Sequence, residues 1–310
     1  MNFIKISKDC LSLSDTLYSG QSFMWINHPV YRDIHIRILY GCPVFISSDN
    51  SGWSTITTET LRLGGRPVEE FFTDYFSLDL DARMAFPKNF PLIHPDLWKR
   101  LQGYFDVKVL RQEPFETMIT FMCAQGIGMH LIRNQVSLLA KNYGKKFDLL
   151  IRDHPFTLYG FPSPSRLAAC DPDELKTCTN NNRIRARNII MASRAVMEGK
   201  IDFCELKDKG LPLEEVRRRL CLFEGIGYKI ADCIALFGLG RFDAFPVDTH
   251  VRQFMAEWFG SSGTSLSLTP ASYLRLDREA RTILVPQLAG YAGHLLFHCW
   301  RKEVKKLRWF

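Results

Sequence analysis

Several things are missing from this 310-residue chain, and each absence narrows what it is. No two of its nine cysteines form a C-x-x-C pair, and none cluster at zinc or iron–sulfur spacing, so the cysteines point away from a metal centre. Their odd number and scatter argue against a disulfide framework and for reduced thiols. No run of 18 apolar residues occurs, and the start, Met1 to Cys10, lacks an export-type apolar stretch. The chain is therefore expected to be intracellular and away from membranes, in the cytoplasm or nucleoid, or in the nucleus of a eukaryote. There is no internal repeat and no heptad array, which excludes solenoids and long coiled coils.

What is present is a mild basic excess, 40 Lys and Arg against 33 Asp and Glu, net +7 with 46% hydrophobic residues. That balance suits a protein with real cores and one face turned to a polyanion, although many enzymes without nucleic-acid partners are as basic. The length fits two or three packed modules.

The first hundred residues read as mixed α and β. Ile34, Ile36 and Ile38 alternate with His35 and Arg37, predicting a half-buried strand, and Val44 to Ile46 predicts a second one after the turn at Tyr40–Pro43. Residues 69–74 predict a helix. From about residue 107 the period becomes helical, with Pro114 placed in a first turn ahead of Phe115, Met118, Ile119 and Met122. Further helices are predicted over 129–139, 183–198, 213–222, 228–237, 248–259, 271–284 and 287–302, with an exposed Ser/Thr-rich loop at 261–270. The expected fold class is α+β: an N-terminal antiparallel-sheet domain (1–106) packed on a mainly helical body (107–310). The basic end, Arg301 to Phe310, reads as a solvated helix end or as extra phosphate contacts.

The most informative stretch is Leu222-Phe-Glu-Gly-Ile-Gly-Tyr-Lys-Ile-Ala-Asp-Cys233. One helix ends, a Gly225-Ile226-Gly227 turn follows, and a new helix begins, so that residues 213–238 form a helix-hairpin-helix. Glycines let the backbone turn and approach a ligand closely, and the free amides of the second helix can hold a phosphate oxygen. Ile226 is expected to anchor the hairpin in the core. An ordinary corner between helices is the alternative reading. Lys229, in the first turn and near a positive helix end, fits either a nucleophilic amine of lowered pKa or a further phosphate contact. Cys233, one turn on, fits a buried structural thiol. Asp248, in Ala244-Phe-Pro-Val-Asp-Thr-His250, fits a helix N-cap, and its charge also suits stabilising a cationic sugar. His250 fits a phosphate contact or a satisfied helix residue.

These motifs together resemble the helix-hairpin-helix DNA glycosylases with a catalytic lysine and aspartate, and most closely the 8-oxoguanine DNA glycosylase branch. Gly20-Gln-Ser-Phe-Met-Trp25 is similar to the Gly-Gln-x-Phe-x-Trp signature of that branch's N-terminal domain. Leu110-Arg-Gln-Glu-Pro114 and Phe121-Met-Cys123 resemble the entry to its helical segment, and Arg183-Ile-Arg-Ala-Arg187 the element that probes the base opposite the lesion.

The resemblance implies a bifunctional glycosylase and AP lyase acting on duplex DNA with a damaged purine, without cofactor or catalytic metal; a monomer is the expectation for a protein that bends DNA around one face. It implies that Lys229 attacks C1′ and forms a Schiff base, with Asp248 stabilising the developing charge. The backbone carbonyl of Gly20 would accept the N7–H of 8-oxoguanine and Cys233 would flank the flipped base. Arg185 would bond the orphaned cytosine, beside Arg187 in the same element, while Ile184 fills the stack. Gly225, Gly227 and His250 would hold the backbone. Two family residues are missing: an asparagine, where the chain reads Gln125-Gly-Ile-Gly-Met129, and a glutamine in the last helix. Gln125 and His294 are their candidate replacements, and Phe297 is either a stacking platform or a core residue. The departures lead to an expected relaxed opposite-base preference. The rival readings are a glycosylase for a formamidopyrimidine or alkylated purine, a non-catalytic sensor of distorted DNA, and a Schiff-base enzyme for a small carbonyl compound.

Overall fold

The computed structural model describes residues 2–48, 52–262 and 269–306. Among these residues, five strands make one antiparallel sheet in the order β1-β5-β4-β3-β2. These are β1 (Asn2–Ser7), β2 (Ile26–Asn27), β3 (Ile34–Leu39), β4 (Cys42–Ser48) and β5 (Trp53–Thr58). Contacts divide the chain into two units. One comprises Met1–Tyr75, Ile119–Asp202 and Phe223–Gly225; the other comprises Phe76–Met118, Phe203–Leu222 and Ile226–Phe310.

In the first unit, β3 departs from the expected half-buried strand: all six of its residues are buried. Ile34, Ile36 and Ile38 form a core with Ile151 and Leu158 from a β-hairpin, Lys146–Ile151 paired with His154–Tyr159, that breaks the otherwise helical second half. On the alternate positions, Arg37 donates to Ser22 Oγ (3.0 Å) and to the Tyr75 hydroxyl (2.9 Å), and the His35 ring meets the Tyr18 hydroxyl (2.9 Å). A buried arginine is tolerable only when hydrogen-bonded in this way.

The Gly20–Trp25 signature is mostly scaffold. Gln21 donates to Thr16 O and Ser19 Oγ; Phe23 and Met24 pack on Ile132, Val136 and Ala140 of the helix Met129–Tyr143. Trp25 is fully buried, its indole N–H donates to Tyr75, and its carbonyl accepts from Arg133. Each such apolar side chain contributes roughly 1.5–3 kcal/mol on burial. The effect is to fix the partly exposed Gly20, whose φ of +92° suits glycine.

The second unit is helical among its described residues apart from short connections. Predicted helices appear as Leu213–Leu220, Thr249–Phe259, Pro270–Ile283 and Ala289–Cys299. The predicted helix 228–237 is α only over Tyr228–Cys233 and widens to π pitch over Ile234–Gly238; the last helix widens likewise over Trp300–Val304. Residues 263–268 of the predicted exposed loop and 307–310 of the basic end lie outside the described residues. No described helix is long and apolar enough to cross a membrane.

Candidate active site

The hairpin takes the form its glycines require. Gly225 has φ +85°, and a Cβ there would sit 3.0 Å from the Asn188 amide nitrogen. Ile226 is buried, as expected of an anchor. Gly227 is extended backbone with open space where a Cβ would stand, and it starts the lysine-bearing helix without any side-chain cap. The start of a helix is where a backbone can hold an anion, and an exposed glycine there leaves room for a close approach.

Lys229 lies in the first turn of this helix, half-buried, and Cys233 lies one turn further, buried. Burial pushes the Cys233 thiol up to about 12, with Lys229 drawing it down and Asp232 and Asp248 pushing it up. Lys229 and Asp248 are therefore both within electrostatic reach of Cys233, although 19 positions separate them in sequence. Asp248 is the N-cap of Thr249–Phe259, its Oδ1 accepting from Val251 N at 2.8 Å. Both readings of this residue, cap and partner of the lysine, are compatible with one side chain because the cap uses one carboxylate oxygen.

The loop that delivers Asp248 is set by the last helix. A Cβ on Gly290 would overlap the Ala244 carbonyl, and one on Gly293 would overlap the Phe245 ring. Gly290-Tyr-Ala-Gly293 is therefore a close-packing motif. From the same helix, Phe297 is partly exposed. Its ring meets His250 edge-on at 5.6 Å and stacks on His294 at 6.2 Å, and the Arg301 guanidinium lies 5.3 Å from its centre. His294 itself is buried between Phe237 and Phe297, and burial, then His298 and Arg301, lower its pKa to about 3. A neutral, enclosed imidazole supports Phe297; it is Phe297 that meets solvent. His250 is lowered by burial, opposed by Asp248.

The remaining predicted residues belong to the first unit. Arg185 is buried and donates to the Gln125 carbonyl (2.7 Å) and to Gln135 Oε1 (3.4 Å). Gln125 is exposed, and its amide donates to Gly225 O at 2.6 Å, so the segment at Gln125 is tied to the turn at Gly225. Ile184 is 67% exposed on the first turn of Arg183–Met197, a large apolar side chain with little cover. Arg187 is exposed and paired with Glu224. The structure thus collects Lys229, Cys233, Asp248, His250, His294 and Phe297 in one unit, and Gly20, Gln125, Ile184, Arg185, Arg187 and Gly225 in the other.

Sequence reasoning missed a buried ionic cluster beneath the lysine helix. Arg217 donates to both oxygens of Asp232 (2.7 and 2.9 Å) and to Asp277 (3.0 and 3.3 Å). Burial opposes the Arg217 charge, yet the two carboxylates hold its pKa above the usual arginine range. Burial pushes Asp232 up to about 6 against the pull of Arg217. The one signal available in sequence was Asp232 itself, an acid in an otherwise apolar helix turn.

Residues 3–118 match the family described as 8-oxoguanine DNA glycosylase, N-terminal domain, and residues 139–273 match the HhH-GPD superfamily base excision DNA repair protein. The chain belongs to the helix-hairpin-helix DNA glycosylases, in the 8-oxoguanine branch. An N-glycosylase/DNA lyase of Saccharomyces cerevisiae is 25% identical over 97% of this chain and 85% of its own length. An N-glycosylase/DNA lyase OGG1 of Arabidopsis thaliana is 30% identical over 65% of this chain, which spans about half (53%) of that relative. A Clostridium acetobutylicum 8-oxoguanine glycosylase/lyase, solved with DNA containing cytosine opposite 8-oxoG, shares the fold: TM-score 0.75 at 24% identity, over 95% of this chain and 93% of that one. The family members are DNA glycosylases, and the α+β fold class agrees with the sequence reading.

Proposed function

We propose that this glycosylase excises 8-oxoguanine, or a closely related oxidised purine, from duplex DNA and then cleaves the strand as an AP lyase. The observation that carries the reading is that Lys229 and Asp248, 19 positions apart in sequence, both lie within electrostatic reach of the buried Cys233 thiol, behind the glycine turn that opens the lysine helix. A base inside a duplex cannot be reached, so the damaged nucleotide is extruded at a cost of a few kcal/mol. The unprotonated Lys229 Nζ attacks C1′; the N9–C1′ bond breaks and the base leaves with the bonding pair, taking up a proton. Loss of a proton from nitrogen and opening of the sugar ring give an imine. Removal of a C2′ proton then expels the 3′ phosphate. Asp248 stabilises the cationic sugar and helps draw the proton from the lysine.

In one unit Phe297 is proposed as the platform for the extruded base and Cys233 as a residue that flanks it; in the other, the Gly20 carbonyl is proposed as acceptor of the lesion's N7–H. Ile184 fills the gap left in the stack, Arg185 addresses the orphaned base from one side, and Arg187 and His250 contact phosphates. Gln125 is engaged with Gly225 and does not replace an asparagine well, which supports a relaxed opposite-base preference. The protein is proposed to act as a monomer, with residues 1–106 and 107–310 as its two modules. Its compartment follows that of the DNA it repairs.

The test is borohydride trapping on duplexes with a single 8-oxoguanine opposite each of the four bases. A covalent adduct is expected with all four within about tenfold of one another, lost on Lys229→Ala, with DNA binding retained on Lys229→Gln. An adduct only with ring-opened or alkylated purines would assign a different lesion, and binding without any adduct would make the chain a sensor.

A further inference from the structure

We propose that Tyr273 is a positioning residue for catalysis: its hydroxyl locks the helix that carries Lys229 to the loop that carries Asp248. The inference rests on the glycosylase reading above. Tyr273 is 2% exposed, on the helix Pro270–Ile283. Its hydroxyl donates to Asp232 Oδ2 at 2.5 Å and accepts from Val247 N at 3.2 Å. The Phe245 carbonyl, at 3.4 Å, competes for the same proton and loses to the shorter bond to a carboxylate. Asp232 lies three residues after the nucleophile, and Val247 immediately precedes Asp248. The ring adds a third contact, stacking on Tyr228, the residue before Lys229, with centroids 5.5 Å apart and planes at 24°.

One side chain therefore touches the lysine helix on both sides of Lys229 and the aspartate loop one residue before its acid. The ionic cluster keeps that side chain in register. Arg217 holds Asp232 as an acceptor, and Asp277, one turn along from Tyr273 on the same helix, holds Arg217. Arg281 binds Asp277 and also donates to the Asp243 carbonyl (2.7 Å), pinning the start of the aspartate loop. The geometry makes the separation of amine and carboxylate depend on a buried hydroxyl that itself touches neither. Such dependence matters because a misplacement of ~1 Å can cost on the order of 100-fold in rate.

Tyr273→Phe removes the oxygen and keeps the ring. Its single-turnover excision rate is expected to fall 10- to 100-fold on the order expected for such a displacement. Affinity for a duplex bearing an uncleavable abasic analogue should stay within about threefold, since no DNA contact is lost. The deciding measurement is the same substitution in an Asp248→Asn background. If Tyr273 works by placing Asp248, the second change should cost less than about twofold there, because coupled positions are not additive. Amide hydrogen exchange at Val247 and Val251 should also speed up in Tyr273→Phe. Equal fold-losses in both backgrounds, or a Tyr273→Phe rate within twofold of wild type well below its Tm, overturn the proposal while leaving the glycosylase intact. A wild type that excises nothing removes the underlying reading and this inference with it. Should Tyr273→Phe fail to fold, Asp232→Asn, which keeps the side-chain shape but not the charge that draws the tyrosine proton, is read by the same two criteria.

Discussion

At the residue scale, Asp248 caps a helix and is proposed to serve the chemistry as well, and the two roles can be separated. As an N-cap it satisfies the Val251 amide, and as an anion it shares the surroundings of Cys233 with Lys229. Asp248→Asn keeps an oxygen for the cap and discards the charge. Its stability should stay within a few tenths of a kcal/mol of wild type, since both residues cap well, whereas excision should slow by roughly 100-fold or more, the scale of losing one oriented electrostatic contact. Asp248→Ala should lose activity similarly and a further ~1 kcal/mol of stability with the cap. Denaturant melts and single-turnover rates on both variants check this; an Asn variant with full activity would reduce Asp248 to a cap. Lys229, Asp248 and the glycines stood out as candidates in sequence because their motifs are local. Arg217, Asp232, Tyr273 and Asp277 were not, since only folding brings positions 217, 232, 273 and 277 together.

At the element scale, the hairpin depends on a backbone conformation more than on any side chain. Gly225 is left-handed, and a Cβ would press on Asn188 and on the Met122 side chain at 3.3 Å. Gly225→Ala is expected to cost about 1–2 kcal/mol from strain at positive φ together with crowding. DNA affinity should weaken with it, measurable by calorimetry and fluorescence anisotropy, because the Gln125 amide bonds the carbonyl of the same residue. An alanine variant that melts and binds as wild type would show the turn to be adaptable. Helices were read well because a 3.6-residue apolar stripe repeats several times in each. The hairpin 146–159 was missed for a definite reason: its turn residues, Arg152 and Asp153, adopt φ of 44° and 66° without the glycine or Asn-Gly pair that marks such turns. Strand β3 was misread because alternation of isoleucine with histidine and arginine reports polarity, and buried partners for His35 and Arg37 come from residues 18, 22 and 75.

At the scale of the whole molecule, both units bury a neutral imidazole, and this sets the acid response. Burial lowers His35 to about 4, opposed by Asp33, and His294 to about 3, against an ordinary value of 6.5. Between these values the unfolded chain binds protons that the folded chain refuses, so the stability they contribute is complete above about pH 6.5 and is lost as the pH falls through that window. Asp232, raised to about 6, runs the opposite way: the folded form holds a proton that the unfolded form has released, so its contribution falls as pH rises toward 6. The comparison of variants isolates the histidine. His294→Leu should lose less Tm than wild type between pH 6.5 and 4, read by thermal melts; parallel curves would mean that His294 takes up its proton in the fold. Chain order and local pattern determined the family, the helix series and the glycine turn, and singled out Lys229 and Asp248 as candidates, since each is encoded by neighbours within a few residues. Which side chains became buried partners was settled only in three dimensions. That includes the ionic cluster, the buried hydroxyl of Tyr273, the enclosure of His294 and the close packing at Gly290 and Gly293, because desolvation and close packing depend on residues far apart in sequence.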